Sequence, residues 1–263
     1  MNRLDEVLRD LRDEGDQLEA LVAPLDDRAD GGWRTPTPAA GWDIAHQIAH
    51  LAWTDESALA AATDKEAWDA TVLRAMADPD GFVDEEAERG AAVPSEELLQ
   101  RWRASRAALA AALAALAEGT RLPWYGPPMS ATSMATARLM ETWAHGRDVA
   151  DALGVTLPAD DRVRHVVHLG VRTRGFSFGN RGLEPPTSEI RVCLRLPSGE
   201  PLTYGAEDAD QGVTGSAYDF ALLVTQRVHR EDTDLVAVGE DAECWLGLAQ
   251  AFAGPPGPGR DVR

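Results

Sequence analysis

The sequence predicts an α+β protein: a bundle of four helices over residues 1–158, then a smaller α+β domain over residues 159–263. Three observations lead to this. Apolar residues recur at helical spacing in four long segments before Pro158. The breaks between those segments carry Pro and Gly, and the connections suit a bundle. After Pro158 the period changes: Ile190, Val192, Leu194 and Leu196 alternate with Arg191, Cys193 and Arg195, as in a strand.

The first helix carries Leu4, Val7, Leu8, Leu11, Leu18 and Leu21 and stops at Pro24. A polar loop with Gly31, Gly32, Pro36 and Pro38 follows. The second helix opens near Gly41-Trp42-Asp43, with Asp43 as a cap or first-turn acid, and runs to about Ala62. Residues 64–90 read as one or two short helices broken at Asp78-Pro79. Pro94-Ser95 opens the third long helix, whose stripe is Leu98, Leu99, Trp102, Leu109, Leu113 and Leu116, and Gly119 ends it. Leu122 to Pro128 reads as a turn-rich aromatic loop. The fourth long helix spans about Ser130 to Leu153 and stops at Gly154. Beyond Pro158 the pattern predicts a helix over 159–174, a strand over 190–196, a turn at Pro197-Ser198-Gly199-Glu200 and a returning strand over 201–204. Two amphipathic helices, near 216–228 and 240–252, and an irregular Gly/Pro tail complete the reading.

Bulk composition narrows the function classes. The net charge of -19 repels nucleic-acid backbones and anionic membrane surfaces. It leaves room for a small anionic substrate wherever a local arginine or metal cation reverses the field. Cys193 and Cys244 fit no metal or redox spacing and read as reduced thiols. The charged N-terminal segment has no signal-peptide or membrane-span pattern, so the expected location is the cytoplasm. Both monomer and homodimer stay open.

Two helices each carry two metal-capable side chains four residues apart: His46 with His50, and Glu141 with His145. That spacing puts each pair on one helical face, a turn apart. A Glu-x-x-x-His pair can chelate one ion, and a histidine from a facing helix can complete three ligands. Such a set leaves one coordination position for water or substrate, as catalytic zinc sites do. The same spacing also suits a local Glu141–His145 surface pair with ordinary interior histidines on the second helix. His165 and His168, near Arg162 and Arg164, could rim an anion site or simply face solvent, and His229 shares that ambiguity. Trp53, Trp124, Tyr125 and Trp143 could wall a pocket or pack the core. Asp55 and Glu56 read as capping or solvated acids.

The stretches GWDIAHQIAHLAWTDE and WYGPPMSATSMATARLMETWAHGRDVADALG resemble the two motif helices of the mycothiol-dependent maleylpyruvate isomerase family. Trp42, His50 and Leu51 match its first motif, and Glu141 and His145 its second, with Asp148-x-x-Asp151 continuing it. The resemblance implies a DinB-like four-helix bundle followed by a smaller, sterol-carrier-like α/β domain, the latter matched chiefly over Gly212 to Arg227. It implies a divalent metal, zinc first, held by His50, Glu141 and His145, with mycothiol as thiol cosubstrate. It further implies an arginine from the second domain at the active site, for which Arg227 is the nearest match and Arg230 and Arg174 compete. His46 falls outside the family's ligand set and reads as a supporting or acid/base group. The function so implied is that of an isomerase or S-transferase acting on a small anionic or conjugated substrate. The alternatives are a metal-binding protein without turnover, which the fourth coordination position separates from an enzyme, and a metal-dependent hydrolase.

Overall fold

Four helix starts in the first half are set by short polar side chains that satisfy otherwise free N–H groups. Helix α1 (Arg3–Val22) opens on a capping box between Asn2 and Asp5. Helix α2 (Ile44–Thr63) opens on Asp43, whose carboxylate accepts from the His46 N–H. Helix α3 (Lys65–Ala77) is capped by Asp64. The Asp78-Pro79 break does split this region, since α4 (Phe82–Ala91) follows as a separate helix. Helix α5 (Ser95–Ala115) starts after Pro94 and ends short of Gly119, because Leu116 is already extended. Helix α6 (Ala131–Leu153) is capped by Ser130 and stops at Gly154, which takes the left-handed conformation (φ 65°) that terminates helices. The computed structural model describes residues 2–28, 31–257 and 259–262. Pro258, part of the expected irregular tail, lies outside them.

The aromatic loop holds over residues 123–128, and its base is paired. Arg121–Leu122 (β1) and Met129–Ser130 (β2) pair antiparallel, so Trp124 and Tyr125 sit between the arms of a small hairpin. Two-residue strands are too short for a period to show in the sequence.

The chain forms two compact units, Met1–Leu157 and Pro158–Arg263. In the first, α2 packs chiefly against α5 and α1 against α6, while α2 and α6 meet along the centre. One core cluster joins Leu18, Ile44, Ile48, Leu51, Leu98 and Trp102, and a second joins Val7, Ala58, Leu109, Leu113 and Met134. α2 and α6 are also tied by a buried ion pair. Arg138 Nε donates to Asp55 Oδ1 at 3.1 Å and Arg138 Nη2 to Thr54 Oγ1 at 2.8 Å, with both charged side chains almost solvent-free. The expectation of a capping or solvated role for Asp55 therefore fails. Burial pushes its carboxyl up to about 6, against the pull of Arg138.

In the second unit the helix expected over 159–174 is α7 (Val163–Arg172), and a further short helix, α8 (Arg174–Gly179), follows after Thr173. Gly170 lets α7 approach α9 (Ala217–Val224) closely, since a Cβ there would lie 2.9 Å from Val224. A four-stranded sheet has the order β4-β3-β5-β6. β3 (Ile190–Arg195) runs antiparallel to β4 (Pro201–Tyr204) and parallel to β5 (Gln211–Ser216). β5 pairs antiparallel with β6 (Val236–Val238). The sequence reading holds for β3 and β4 and omits β5 and β6. Gly212 and Gly215 dilute the alternation in β5, where Val213 is the one fully buried side chain, and β6 has three residues. α9 ends at Val224 rather than near 228, because Thr225 leaves the helix and Gln226 adopts φ 60°. α10 (Glu240–Leu248) is likewise shorter than expected. Among the described residues, no helix is long and apolar enough to cross a membrane.

Removing one partner of the Asp55–Arg138 pair strands a buried charge. Asp55→Ala is expected to lower unfolding stability by about 3–5 kcal/mol, read from urea titrations. The double replacement Asp55→Leu/Arg138→Met should cost less than Asp55→Ala alone.

Candidate metal centre

Where a histidine points on α2 is decided by how the helix begins. Asp43 fixes the first turn, so His46 and His50 emerge one turn apart beside Trp42. On α6, Glu141 and His145 have the same relation. The α2–α6 packing brings His50 to that second pair. His145 Nε2 lies 3.2 Å from Glu141 Oε2, and His50 Nε2 lies 3.7 Å from the same oxygen. One ligand atom from each of the three lies within 4.8 Å of the others, and the two imidazole centroids are 4.7 Å apart. Ligands about 2.0–2.2 Å from a tetrahedral zinc ion stand roughly 3.3–3.5 Å from one another. The spacing found here brackets that value, so the three side chains fit a single ion.

Their protonation states suit the same role. Burial would raise the Glu141 carboxyl, but hydrogen bonds from His145 and His50 and the charge of Arg138 outweigh it and hold it well below the ordinary range. Burial lowers His50 to about 4, so its imidazole is neutral at physiological pH. An ionised carboxylate and a neutral imidazole are the forms that bind a metal without first losing a proton.

His46 is directed elsewhere. Its Nδ1 meets Asp43 Oδ1 at 2.6 Å and its Nε2 meets Glu88 Oε2 at 2.7 Å. Carboxylates only accept, so both ring nitrogens carry protons in this arrangement. Burial works against that charge, but the bonds to Glu88 and Asp43 prevail and raise its pKa above the ordinary value. With both nitrogens engaged, His46 does not join the ligand cluster.

Aromatic rings enclose the ligands on the α2 side. Trp42 lies 5.3 Å from His50 and 6.0 Å from His145, and its indole N–H donates to Asp84 Oδ1 at 2.9 Å. Trp53 lies 5.8 Å from His50 and edge-on to Phe82. Trp124 and Tyr125 instead pack on Trp68, and Trp143 is buried beneath Arg147. Glu56 makes a two-pronged ion pair with Arg101 and takes no part in the centre.

The sequence reading missed Gln47. Its carbonyl oxygen meets His145 Nδ1 in a very short contact, and its amide nitrogen donates to Thr37 Oγ1 at 2.8 Å. A glutamine one position from a candidate histidine carries no periodic signal. The usable hint was a polar residue on a helix turn that must be buried. Arg227, Arg230 and Arg174 all lie in the second unit. Arg227 Nη1 donates to Thr225 O at 2.5 Å, and Arg174 Nη1 donates to Ser188 O at 3.2 Å. His165 is buried rather than solvated, and His229 Nδ1 accepts from the Glu231 N–H at a short turn.

Comparisons with known proteins identify relatives of the chain. A family model described as the mycothiol maleylpyruvate isomerase N-terminal domain matches residues 11–150, more than half of the chain. Uncharacterized proteins from two strains of Mycobacterium tuberculosis are each 57% identical over 252 residues, covering 95% of this chain and 96% of theirs. The solved structures of a mycothiol-dependent maleylpyruvate isomerase and of a histidine-to-alanine mutant of it share the fold. Each gives a TM-score of 0.59 over 89% of this chain and 92% of that chain, at 16% identity.

The charged state of His46 has a measurable sign. Its folded pKa is raised, so its stabilising contribution is complete below about 6.5 and is lost as pH rises through the folded value. The stability gap between wild type and His46→Ala, from denaturant titrations at several pH values, should therefore be widest in acid and shrink in alkali. A pH-independent gap would mean that the ring is neutral.

Proposed function

The chain belongs to the mycothiol maleylpyruvate isomerase family, and on that premise we propose that it is a divalent-metal-dependent, mycothiol-dependent isomerase or S-transferase. Its substrate in this reading is a small anionic or conjugated molecule. The reading takes the first unit as a DinB-like four-helix bundle and the second as a sterol-carrier-like domain, and it places the protein in the cytoplasm. The observation that carries it is the convergence of His50, Glu141 and His145 on one ion-sized space.

His50 and His145 would each present Nε2, and Glu141 an ionised Oε2, to a divalent cation, zinc being the first candidate. The ion supplies, when bound, a positive charge that keeps a thiol in its nucleophilic thiolate form. Three protein ligands leave a position for that thiol. The engagement of both His46 nitrogens by Asp43 and Glu88 supports the open position, because a fourth protein ligand would close it. This favours an enzyme over a metal staple.

Every other task falls to this chain's own side chains. Glu141 stays ionised and His50 stays neutral, so neither consumes a proton from the reaction. His46 holds a proton on Nε2 against Glu88, which is largely exposed and can exchange it with solvent. In this reading His46 is the proton donor. Trp42 and Trp53 keep water from the ligand side of the imidazoles. Arg227 is proposed to bind a substrate carboxylate as a charge-assisted pair.

Metal analysis should find about one divalent ion per chain in the wild type and close to none in Glu141→Gln or His145→Ala. Both variants should keep the wild-type far-UV circular dichroism and lose thiol-dependent turnover of a conjugated dicarboxylate. Turnover that persists with metal content near zero would overturn the proposal.

A further inference from the structure

We infer that Gln47 is a positioning residue that locks His145 in the tautomer carrying its proton on Nδ1, with the direction of the lock set by the backbone carbonyl of Trp42. The inference rests on the reading of His145 as a ligand, and it concerns a residue outside the ligand set.

The argument follows hydrogen-bond polarity along a chain of four groups. The Trp42 carbonyl oxygen can only accept. Thr37 Oγ1 lies 2.8 Å from it and must spend its one hydrogen there. The same Thr37 oxygen, 2.8 Å from the Gln47 side chain, is then left as an acceptor. Only the amide nitrogen of Gln47 can donate to it, so the Gln47 carbonyl oxygen faces His145. That oxygen is also acceptor-only, and His145 Nδ1 must supply the hydrogen. In the neutral ring Nε2 then carries no hydrogen, and the bond it makes to Glu141 Oε2 at 3.2 Å belongs to the doubly protonated ring.

The reversed polarity fails on the same contacts. If Gln47 turned its nitrogen to His145, its oxygen would take the Thr37 hydrogen. Thr37 Oγ1 and Trp42 O would then face each other at 2.8 Å with no hydrogen between them, the carbonyl keeping only its bond from the Thr37 N–H. Two acceptors pressed together without a hydrogen between them repel, so the observed polarity is the favoured one.

The consequence is pre-organisation. A neutral imidazole otherwise exchanges between two tautomers, one of which hides the lone pair that the centre needs. Thr37 and Trp42 precede α2 and its cap, so the entry loop of one helix sets the proton position on a histidine of another. His50 has no such brace, since its Nδ1 is buried without a hydrogen-bond partner.

The test uses the full chain and two readouts, neither of which is activity. Long-range 1H–15N spectra of the metal-free protein, at a pH where the His145 ring is neutral, report which nitrogen holds the proton. Competition with a chromogenic chelator reports zinc affinity. Wild type should show the proton on Nδ1. Gln47→Leu should populate the other tautomer and weaken zinc binding about 10–100-fold. Gln47→Glu, which keeps an acceptor toward His145, should restore the Nδ1–H form. Thr37→Val should loosen the tautomer with Gln47 still present, and it decides the matter if Gln47→Leu does not fold. A neutral wild-type ring protonated on Nε2 would overturn the inference, as would zinc affinity in Gln47→Leu within about twofold of wild type. If wild-type protein binds no zinc at all, the metal reading falls, while the tautomer spectra still decide the role of Gln47.

Discussion

Three electron-rich atoms held face to face inside a protein are an unstable arrangement unless a cation or protons separate them. That constraint governs the first unit. Glu141 is kept ionised and His50 neutral by their surroundings, and both histidines turn Nε2 toward one carboxylate oxygen. Holding such a set in place needs two helices that cannot slide past each other. α2 and α6 are prevented from sliding by the buried Arg138–Asp55 pair and the Arg138–Thr54 bond. The same guanidinium depresses the Glu141 pKa from one turn away. Arg138 therefore serves stability and chemistry at once. Asp55 balances its charge.

How much of this was legible in the sequence depends on how far each signal reaches. The long helices announce themselves through apolar spacing and through caps such as Asn2, Asp43 and Ser130, which are local features. The ligand pair Glu141–His145 is also local, being a four-residue spacing. The partnership with His50 is not, because it depends on α2 and α6 lying side by side, and the family resemblance had to supply it. The strands β5 and β6 escaped because glycines and short length remove the alternation on which strand reading relies. Asp55 was misread because an acid beside Glu56 on a helix is ordinarily solvated. The partner that keeps it buried, Arg138, lies 83 residues away. Gln47 was invisible for the same reason: its importance is a contact, and one sequence does not display contacts.

His46 shows why residue type and spacing mislead when environment is ignored. Spacing alone makes it as good a ligand candidate as His50. The difference is one helical turn of placement. His46 sits at the start of α2, where Asp43 and Glu88 can reach both of its nitrogens. His50 sits one turn deeper, where burial strips its charge. The two histidines of a single motif are thus driven to opposite protonation states, one charged and the other neutral. Separated pKa values within one site are what acid and ligand roles require.

The two histidines that face Glu141 are braced by different physics, and both braces trace to the same turn. His145 is held by a polar relay through Gln47 and Thr37 that ends on the Trp42 carbonyl. His50 lacks a polar partner on Nδ1 and is held by packing, with the Trp42 and Trp53 rings 5.3 and 5.8 Å away. Trp42 is itself fixed by its N–H bond to Asp84 of α4 and by the backbone bond from Thr37 N–H to its carbonyl. A residue that precedes the helix cap therefore contributes its carbonyl to one ligand and its ring to the other. The geometry of the centre is then only as rigid as the loop from Thr37 to Asp43. That loop is secured by Arg34, which bridges Asp43 and the Ala91 carbonyl at the end of α4. Damage to that short segment would loosen both histidines at once, although none of its residues is a ligand.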